Sequence, residues 1–178
     1  MSTLFTSTCH PLGTHRVLEP PGAMPQDAWK IDNTPAAGAN ELLCDVEVLN
    51  IDSASFKQLR EACDFDPRRI GDRVAEIVHQ RGKQHNPVTG SGGMFIGSVL
   101  EIGSALRDKI DLKVGDRIAS LVSLTLTPLK IDSITEVDVA NGRIWVRGKA
   151  ILFESGLWAR LPSDVDEGVA LAVFDVAG

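Results

Sequence analysis

The 178-residue chain contains no tyrosine, only three cysteines and no apolar run close to the roughly 20 residues of a membrane-spanning helix. Cys9, Cys44 and Cys63 are too few and too scattered for a disulfide framework, which favours a reducing setting. The N-terminus lacks the basic start and the apolar segment of a signal peptide. We therefore expect a cytoplasmic protein with no membrane partner, whose chemistry does not use tyrosine as a general acid.

Basic residues are also in the minority, with 18 Lys and Arg against 24 Asp and Glu and a net charge of −6. The two signs are interspersed, so the sequence lacks the one-signed basic surface that binding to a phosphate backbone requires. We expect no nucleic-acid partner. A hydrophobic content of 43% is ordinary for a globular domain of this length.

Composition divides the chain into three stretches. Residues 1–40 are rich in proline and glycine and predict a loop-rich segment packed on a core, with one extended piece at 16–19. Residues 163–178 begin a helix that Ser163 or Asp164 can cap. Between them, alternating apolar and polar residues predict strands, and Asn141-Gly142 predicts a hairpin. The predicted strands cover residues 41–51, 94–102, 117–126, 130–139 and 143–153.

Residues 53–82 are the only convincing helical stretch within this β-rich part of the sequence. Asp66-Pro67 supplies a helix N-cap followed by a proline at the first helical position, and Gly82 suits a left-handed C-cap. Many short strands with glycine turns and few helices predict a mostly β fold, either a small barrel or a curled sheet. The apolar residues of the helix form one stripe: Ile70, Val74, Ile77 and Val78.

Two acidic residues stand at the ends of predicted strands. Asp52 lies beside Ser53, and Glu154 lies beside Ser155. A carboxylate at the rim of a sheet can bind a substrate ammonium group or accept its proton. The alternative interpretation of each is a turn cap or a surface charge.

The glycine-rich segment from Thr89 to Gly93 invites comparison with a phosphate-binding loop. Phe95 stands where a G-x-G-x-x-G pattern needs its third glycine, and a strand follows instead of a helix, so we interpret the segment as a tight turn beside a substrate cleft. Cys9, His10 and His15 lack the paired spacing of a structural zinc site, and we predict no metal ligands.

Two segments resemble the GroES-like catalytic domain of the medium-chain dehydrogenase/reductase superfamily. GSVLEIG at 97–103 and LKVGDRI at 112–118 resemble its G-x-V-x-x-x-G strand and its v-G-D-x-V turn. Residues 159–167 are similar to the bridge into its nucleotide domain. The resemblance implies a partly open GroES-like β-barrel over 41–162, with 163–178 starting the helix that leads to a dinucleotide-binding domain. We therefore expect an N-terminal fragment.

Three strings resemble a narrower family within that superfamily: GTHRVLEPPG, NPVTGSGGMFIG and KAILFESGLWARLP. This family oxidatively deaminates 3,5-diaminohexanoate with NAD in lysine fermentation. The resemblance implies a small diamino-acid substrate with two ammonium groups, for which the pocket should present acidic groups. We predict Asp52 and Glu154 as catalytic residues and Ser53, Thr89 and Ser91 as hydrogen-bonding partners of the substrate.

The sequence departs from the superfamily pattern at the positions that would bind zinc and NAD. Asp52-Ser53 and Gly90-Ser91-Gly92 occupy the places of its zinc ligands, so we expect no zinc. No G-x-G-x-x-G occurs between a strand and a helix, so the fragment alone should neither hold NAD tightly nor turn over substrate. The parent is expected to be a homo-oligomer. Two alternatives stay open: a free-standing GroES-like binding or assembly module, and a fragment of a zinc-free enoyl or quinone reductase.

Overall fold

The structure is a computed structural model that describes residues 9–86, 88 and 90–162. The predicted C-terminal helix and the predicted linker to a nucleotide domain lie outside these residues, and the domain division stays a prediction. The strands are β1 (Val17–Glu19), β2 (Lys30–Ile31), β3 (Glu41–Asn50), β4 (Met94–Ile102), β5 (Arg117–Ser120), β6 (Leu129–Asp138), β7 (Arg143–Phe153) and β8 (Trp158–Arg160). The helices are α1 (Ser53–Ala62) and α2 (Pro67–Arg81), with a 3₁₀ turn at Thr14–Arg16.

Six strands form one antiparallel sheet in the order β6-β7-β3-β4-β5-β8, and β1 pairs separately with β2. The prediction of a mostly β chain with a few helices is confirmed. The larger sheet is open, with β6 and β8 at its edges, and the described strands do not close into a barrel. Within the described ranges no helix combines the length and the apolar character needed to cross a bilayer.

The central strands follow the sequence pattern closely. The alternating residues of β3 that were expected on one face, including Leu42, Cys44 and Val46, are all buried. The hairpin between β6 and β7 turns at Asn141-Gly142 as predicted, with Gly142 in the left-handed region at φ 71°. The predicted strand at 117–126 ends early at Ser120, because the chain then turns and the Leu124 amide bonds to the Gly93 carbonyl.

The single predicted helical stretch is two helices. Asp64 and Phe65 both adopt positive φ, at 53° and 60°, which interrupts the helix between α1 and α2. The predicted caps of α2 are confirmed: Asp66 accepts a hydrogen bond from the Arg68 amide at 2.8 Å, and Gly82 ends the helix at φ 74°. The apolar stripe of α2 packs against β6 and the core.

The segment before β3 is fastened to the rest of the chain by buried cationic side chains. Lys83 has no exposed surface, and its Nζ donates to the carbonyls of Pro25 and Gln26 at 2.5 and 2.9 Å. The Arg81 guanidinium lies 4.3 Å from the centre of the Trp29 ring, a cation–π distance. Arg81 is the last residue of α2, and Lys83 follows two residues later. These contacts therefore hold the N-terminal segment against the end of that helix.

Candidate functional site

Polar side chains gather where β3 ends and α1 begins. Asp52 is the N-cap of α1, and its Oδ1 accepts a hydrogen bond from the Ser55 amide at 2.9 Å. Its Oδ2 is buried and finds no hydrogen-bond partner among the described residues. The cap explains why the carboxylate is held rigidly, while Oδ2 keeps its full capacity to accept a proton or a hydrogen bond.

The segment after α2 brings two more polar side chains to this end of the sheet. Gln84 is only 3% exposed, and its Oε1 has no partner within the described part of the chain. The same holds for the buried Nδ1 of His85. Burial, followed by the nearby charges of Arg81 and Lys83, lowers the pKa of His85 to about 4. His85 is therefore a neutral imidazole at neutral pH.

The predicted tight turn at 89–93 is confirmed in its described part. The Gly90 amide bonds to the Asn86 carbonyl at 2.9 Å, and the Asn86 amide bonds to the Ser91 carbonyl at 3.1 Å. A Cβ on Gly92 would come within 2.7 Å of the Gln84 carbonyl oxygen. Gly93 has φ 90°, and a Cβ there would collide with the Asn50 carbonyl. The glycines thus allow the end of β3 and the Gln84 segment to meet.

A cavity of about 190 Å³ opens between α1, α2 and the Gln84 segment. Leu59 and Ile77 give it apolar walls, while Ser55, Gln84 and His85 give it polar ones. Asp52 does not line this cavity itself, but its carboxylate is bonded to the amide of Ser55, a residue that does. A pocket of this kind, apolar with a few polar groups, is typical of small-molecule sites.

The structure brings only some of the predicted site residues together. Asp52 and Ser91 belong to this end of the sheet, whereas Thr89 lies outside the described residues. Ser53 is exposed and lines a different cavity of about 240 Å³ together with Lys57 and Arg60. At about 100° per residue, Ser53 and Ser55 point to opposite sides of α1. Ser53 therefore does not share a cavity with Gln84.

Glu154 lies at the other end of the sheet. It accepts hydrogen bonds from Asn40 and Lys109, both at 2.9 Å, and these bonds lower its pKa. Asn40 directly precedes β3, and the ten residues of β3 span about 30 Å before the chain reaches Asp52. The two carboxylates therefore do not meet in one cleft, as a shared site for a small substrate would require. The predicted catalytic role of each is untested, and their separation allows at most one of the two to act at such a site.

Close to Glu154, a buried ion pair joins the N-terminal segment to β3. Arg16 binds Glu41 through Nη2–Oε2 at 2.6 Å and Nε–Oε1 at 2.8 Å, while Gly38 donates its amide to Oε2. Burial raises the pKa of Glu41, but the hydrogen bonds from Arg16 and Gly38 outweigh it and lower the pKa. His15 also bonds to Oε1, at 2.8 Å.

Cys9, His15 and Glu41 place potential ligand atoms within 4.8 Å of one another at this position. Both carboxylate oxygens of Glu41 are already occupied, and the Arg16 guanidinium would repel a cation. These side chains therefore do not fit a metal ion. The expectation that the protein uses no zinc stays a prediction.

With this geometry in view, the family follows from comparison with known proteins. The family described as "L-erythro-3,5-diaminohexanoate dehydrogenase N-terminal domain" matches residues 15–162. The chain belongs to this family. Proteins named L-erythro-3,5-diaminohexanoate dehydrogenase from Acetoanaerobium sticklandii and Fusobacterium nucleatum are each 56% identical to it over 166 residues, or 93% of the chain. The chain spans about half the length of these curated relatives, 48% in each.

The glycine turn of this family member does not have the geometry of a dinucleotide-binding loop. The turn ending at Gly93 leads into β4 and not into a helix whose N-terminus could face a pyrophosphate. The Gly90 amide, which a phosphate cradle would need, is already bonded to Asn86. The glycine turn is therefore not arranged as a cradle for a phosphate group.

Sequence reasoning missed Lys83, Gln84 and His85, although a signal was present. Three polar residues follow the predicted C-cap Gly82 immediately and precede the predicted glycine turn, so they connect two features that were both recognised. Polar side chains in a short connection between a helix and a cleft-forming turn are good candidates for a site.

Proposed function

We propose that this chain binds the substrate in an NAD-dependent dehydrogenase that oxidatively deaminates L-erythro-3,5-diaminohexanoate to 5-amino-3-oxohexanoate in lysine fermentation. The observation that carries the proposal is the 56% identity, over 166 residues, to two proteins that bear the name of this dehydrogenase. The net reaction consumes the amine, NAD⁺ and water, and it yields the ketone, NADH, an ammonium ion and a proton. We also propose that the reaction needs no zinc.

The nicotinamide cofactor supplies the hydride acceptor in such a reaction, and the protein supplies orientation and proton transfer. An ammonium group has no lone pair with which to support the loss of hydride from its carbon. A base must therefore remove a proton from the C3 ammonium group first. The residues of this chain have to bind two ammonium groups, accept that proton and keep bulk water away.

Asp52 is the residue best suited to accept the proton. Its Oδ1 is fixed by the Ser55 amide, whereas its buried Oδ2 has no hydrogen-bond partner among the described residues. An unpaired carboxylate oxygen attracts an ammonium group by charge and can take its proton. Ser91, which the turn holds at the same end of the sheet, is proposed as a hydrogen-bonding partner of the substrate.

The test compares two aspartates with the same structural role in the natural protein that contains this chain. Asp52 caps α1 and Asp66 caps α2, and asparagine is as good a cap as aspartate. With L-erythro-3,5-diaminohexanoate and NAD, we expect Asp52→Asn to lower kcat by about 10²- to 10⁴-fold. We expect Asp66→Asn to leave NADH formation unchanged. It removes the same charge from the same kind of helix cap, but at α2 instead of α1.

Glu154→Gln serves as a second comparison, since the structure places Glu154 at the far end of the sheet, bound to Asn40 and Lys109. We expect it to keep the kcat of the wild type. If the wild-type protein forms no NADH from this substrate, the proposed function is wrong. If Asp52→Asn keeps full turnover, the role of Asp52 is wrong while the function stands.

A further inference from the structure

The cavity beside Asp52 has two kinds of wall. Leu59 of α1 and Ile77 of α2 present hydrocarbon, and both are partly exposed where they line the space. Gln84 and His85 present polar groups from the segment that follows α2. A ligand that fills this cavity should therefore carry both an apolar end and a polar group.

The polar wall offers acceptors that lack donors. Gln84 is more than nine-tenths buried, and its Oε1 is without a hydrogen-bond partner in the described part of the molecule. An unsatisfied buried acceptor makes the fold less stable, and a donor from a ligand recovers that loss. Because His85 is neutral, its Nδ1 can serve as a second acceptor.

Two cations, Arg81 and Lys83, lie near this cavity, and their charges repel an ammonium group. Together with burial, their charges lower the pKa of His85, but neither side chain lines the cavity: Lys83 donates to the carbonyls of Pro25 and Gln26, and Arg81 donates its Nε to the Trp29 carbonyl at 3.0 Å. The buried Oε1 of Gln84 is an acceptor without a partner among the described residues, so it favours a ligand group that donates a hydrogen bond over a carboxylate.

We propose that this cavity binds the C5 end of the substrate, with Gln84 accepting a hydrogen bond from the C5 ammonium group and Leu59 and Ile77 packing on the terminal methyl group. The inference rests on the proposed function. The geometric connection is Ser55, which lines the cavity and donates its amide to Asp52 at 2.9 Å, and C3 and C5 of the substrate are separated by only one methylene group. Gln84 thereby selects 3,5-diamino acids over 3-amino acids.

The test measures kcat/KM for two substrates, L-erythro-3,5-diaminohexanoate and 3-aminohexanoate, which lacks only the C5 amine. Gln84→Met keeps the length of the side chain and removes the acceptor. We expect it to lower kcat/KM for the diamino acid by about 10- to 100-fold, mainly through KM, because the lost contact is remote from C3. For 3-aminohexanoate we expect no decrease. The matched control is Gln80→Met, at an exposed position of α2.

A second variant keeps the test decisive if Gln84→Met folds poorly. Gln84→Glu has the same shape and supplies a charged acceptor, so we expect it to increase the preference for the diamino acid. Loss of activity on both substrates in equal proportion, or an unchanged preference in both variants, would overturn the inference. A wild-type protein that oxidises neither substrate would instead refute the proposed function itself. Failure of the proposed role of Gln84 and failure of the proposed function therefore give different results.

Discussion

The two ends of the central sheet solve the problem of buried polar groups in opposite ways. At one end, which we call the paired end, the carboxylate of Glu41 is 1% exposed, yet each of its oxygens accepts two hydrogen bonds. At the other, the unpaired end, buried polar atoms of Asp52, Gln84 and His85 have no partners among the described residues.

This difference separates groups that stabilise the fold from groups that are available for a ligand. A buried charge that is fully bonded fastens one segment to another, and it has no capacity left for chemistry. A buried acceptor without a donor makes the fold less stable and is retained where a ligand completes it. The carboxylates of Glu41 and Asp52 illustrate the two cases on one strand, at the start of β3 and just beyond its end.

The largest effect is expected at the paired end. Arg16→Met leaves the carboxylate of Glu41 buried without its counter-charge, and we expect the free energy of unfolding in urea to fall by about 3–5 kcal/mol. The exposed ion pair on α2 is the control, because Arg73→Met should cost no more than about 0.5 kcal/mol. A similar cost for both variants would show that the Arg16–Glu41 pair stabilises the fold no more than a surface ion pair does.

The second effect concerns the backbone of the unpaired end. Gly93→Ala combines the strain of a positive φ with a collision against the Asn50 carbonyl, and we expect a loss of about 2–3 kcal/mol in the free energy of unfolding. Gly90 also has a positive φ, at 67°, but an added Cβ meets nothing within 4 Å. Gly90→Ala should therefore cost only about 1 kcal/mol. Equal losses, measured by urea unfolding, would argue against the close approach to β3.

The smallest effect is a dependence of stability on pH. Burial holds the pKa of His85 near 4 in the folded protein, whereas the unfolded chain has the ordinary value of 6.5. Between these values the unfolded state binds more protons, so the stabilisation present above pH 6.5 is lost as the pH falls towards 4. Because His85 is only partly buried, solvent screening reduces the energy of this shift, and we expect His85→Gln to remove about 2 kcal/mol of the acid sensitivity in urea unfolding at a series of pH values.

His79→Gln provides the control for the loss of a histidine, because His79 is exposed on α2. If His85→Gln and the wild type lose stability in parallel between pH 6.5 and pH 4, then His85 is not buried as a neutral group. In that case the contrast between the two ends of the sheet would rest on Asp52 and Gln84 alone.

Local signals were sufficient for much of the fold. The predicted strand at 143–153 coincides with β7, and the caps of α2 at Asp66 and Gly82 are where the sequence indicates. Each depends on neighbours within a few residues, through alternation or through a single cap. The cap at Asp66 marks a helix start inside the predicted helical stretch, but the left-handed turn before it could not be predicted, because Asp64 and Phe65, neither of them glycine, adopt a positive φ.

The site was harder to predict because it depends on strand direction. Asp52 and Glu154 both follow strands, and strand ends meet at one rim only when the strands are parallel. Here β3 and β7 are antiparallel, so the two carboxylates lie at opposite rims. The burial of Gln84 and His85 depends on α1, α2 and the turn at 90–93, which come together only in the tertiary structure.

The complete burial of Lys83 has a kinetic consequence. Its amine is enclosed because the carbonyls that it binds, those of Pro25 and Gln26, belong to the N-terminal segment. An amine-reactive reagent can reach it only after that segment moves away from the end of α2. Lys130 on the edge strand β6 is exposed, so its labelling requires no such opening. The rate at which Lys83 is labelled therefore measures the opening of one segment, separately from the unfolding of the sheet.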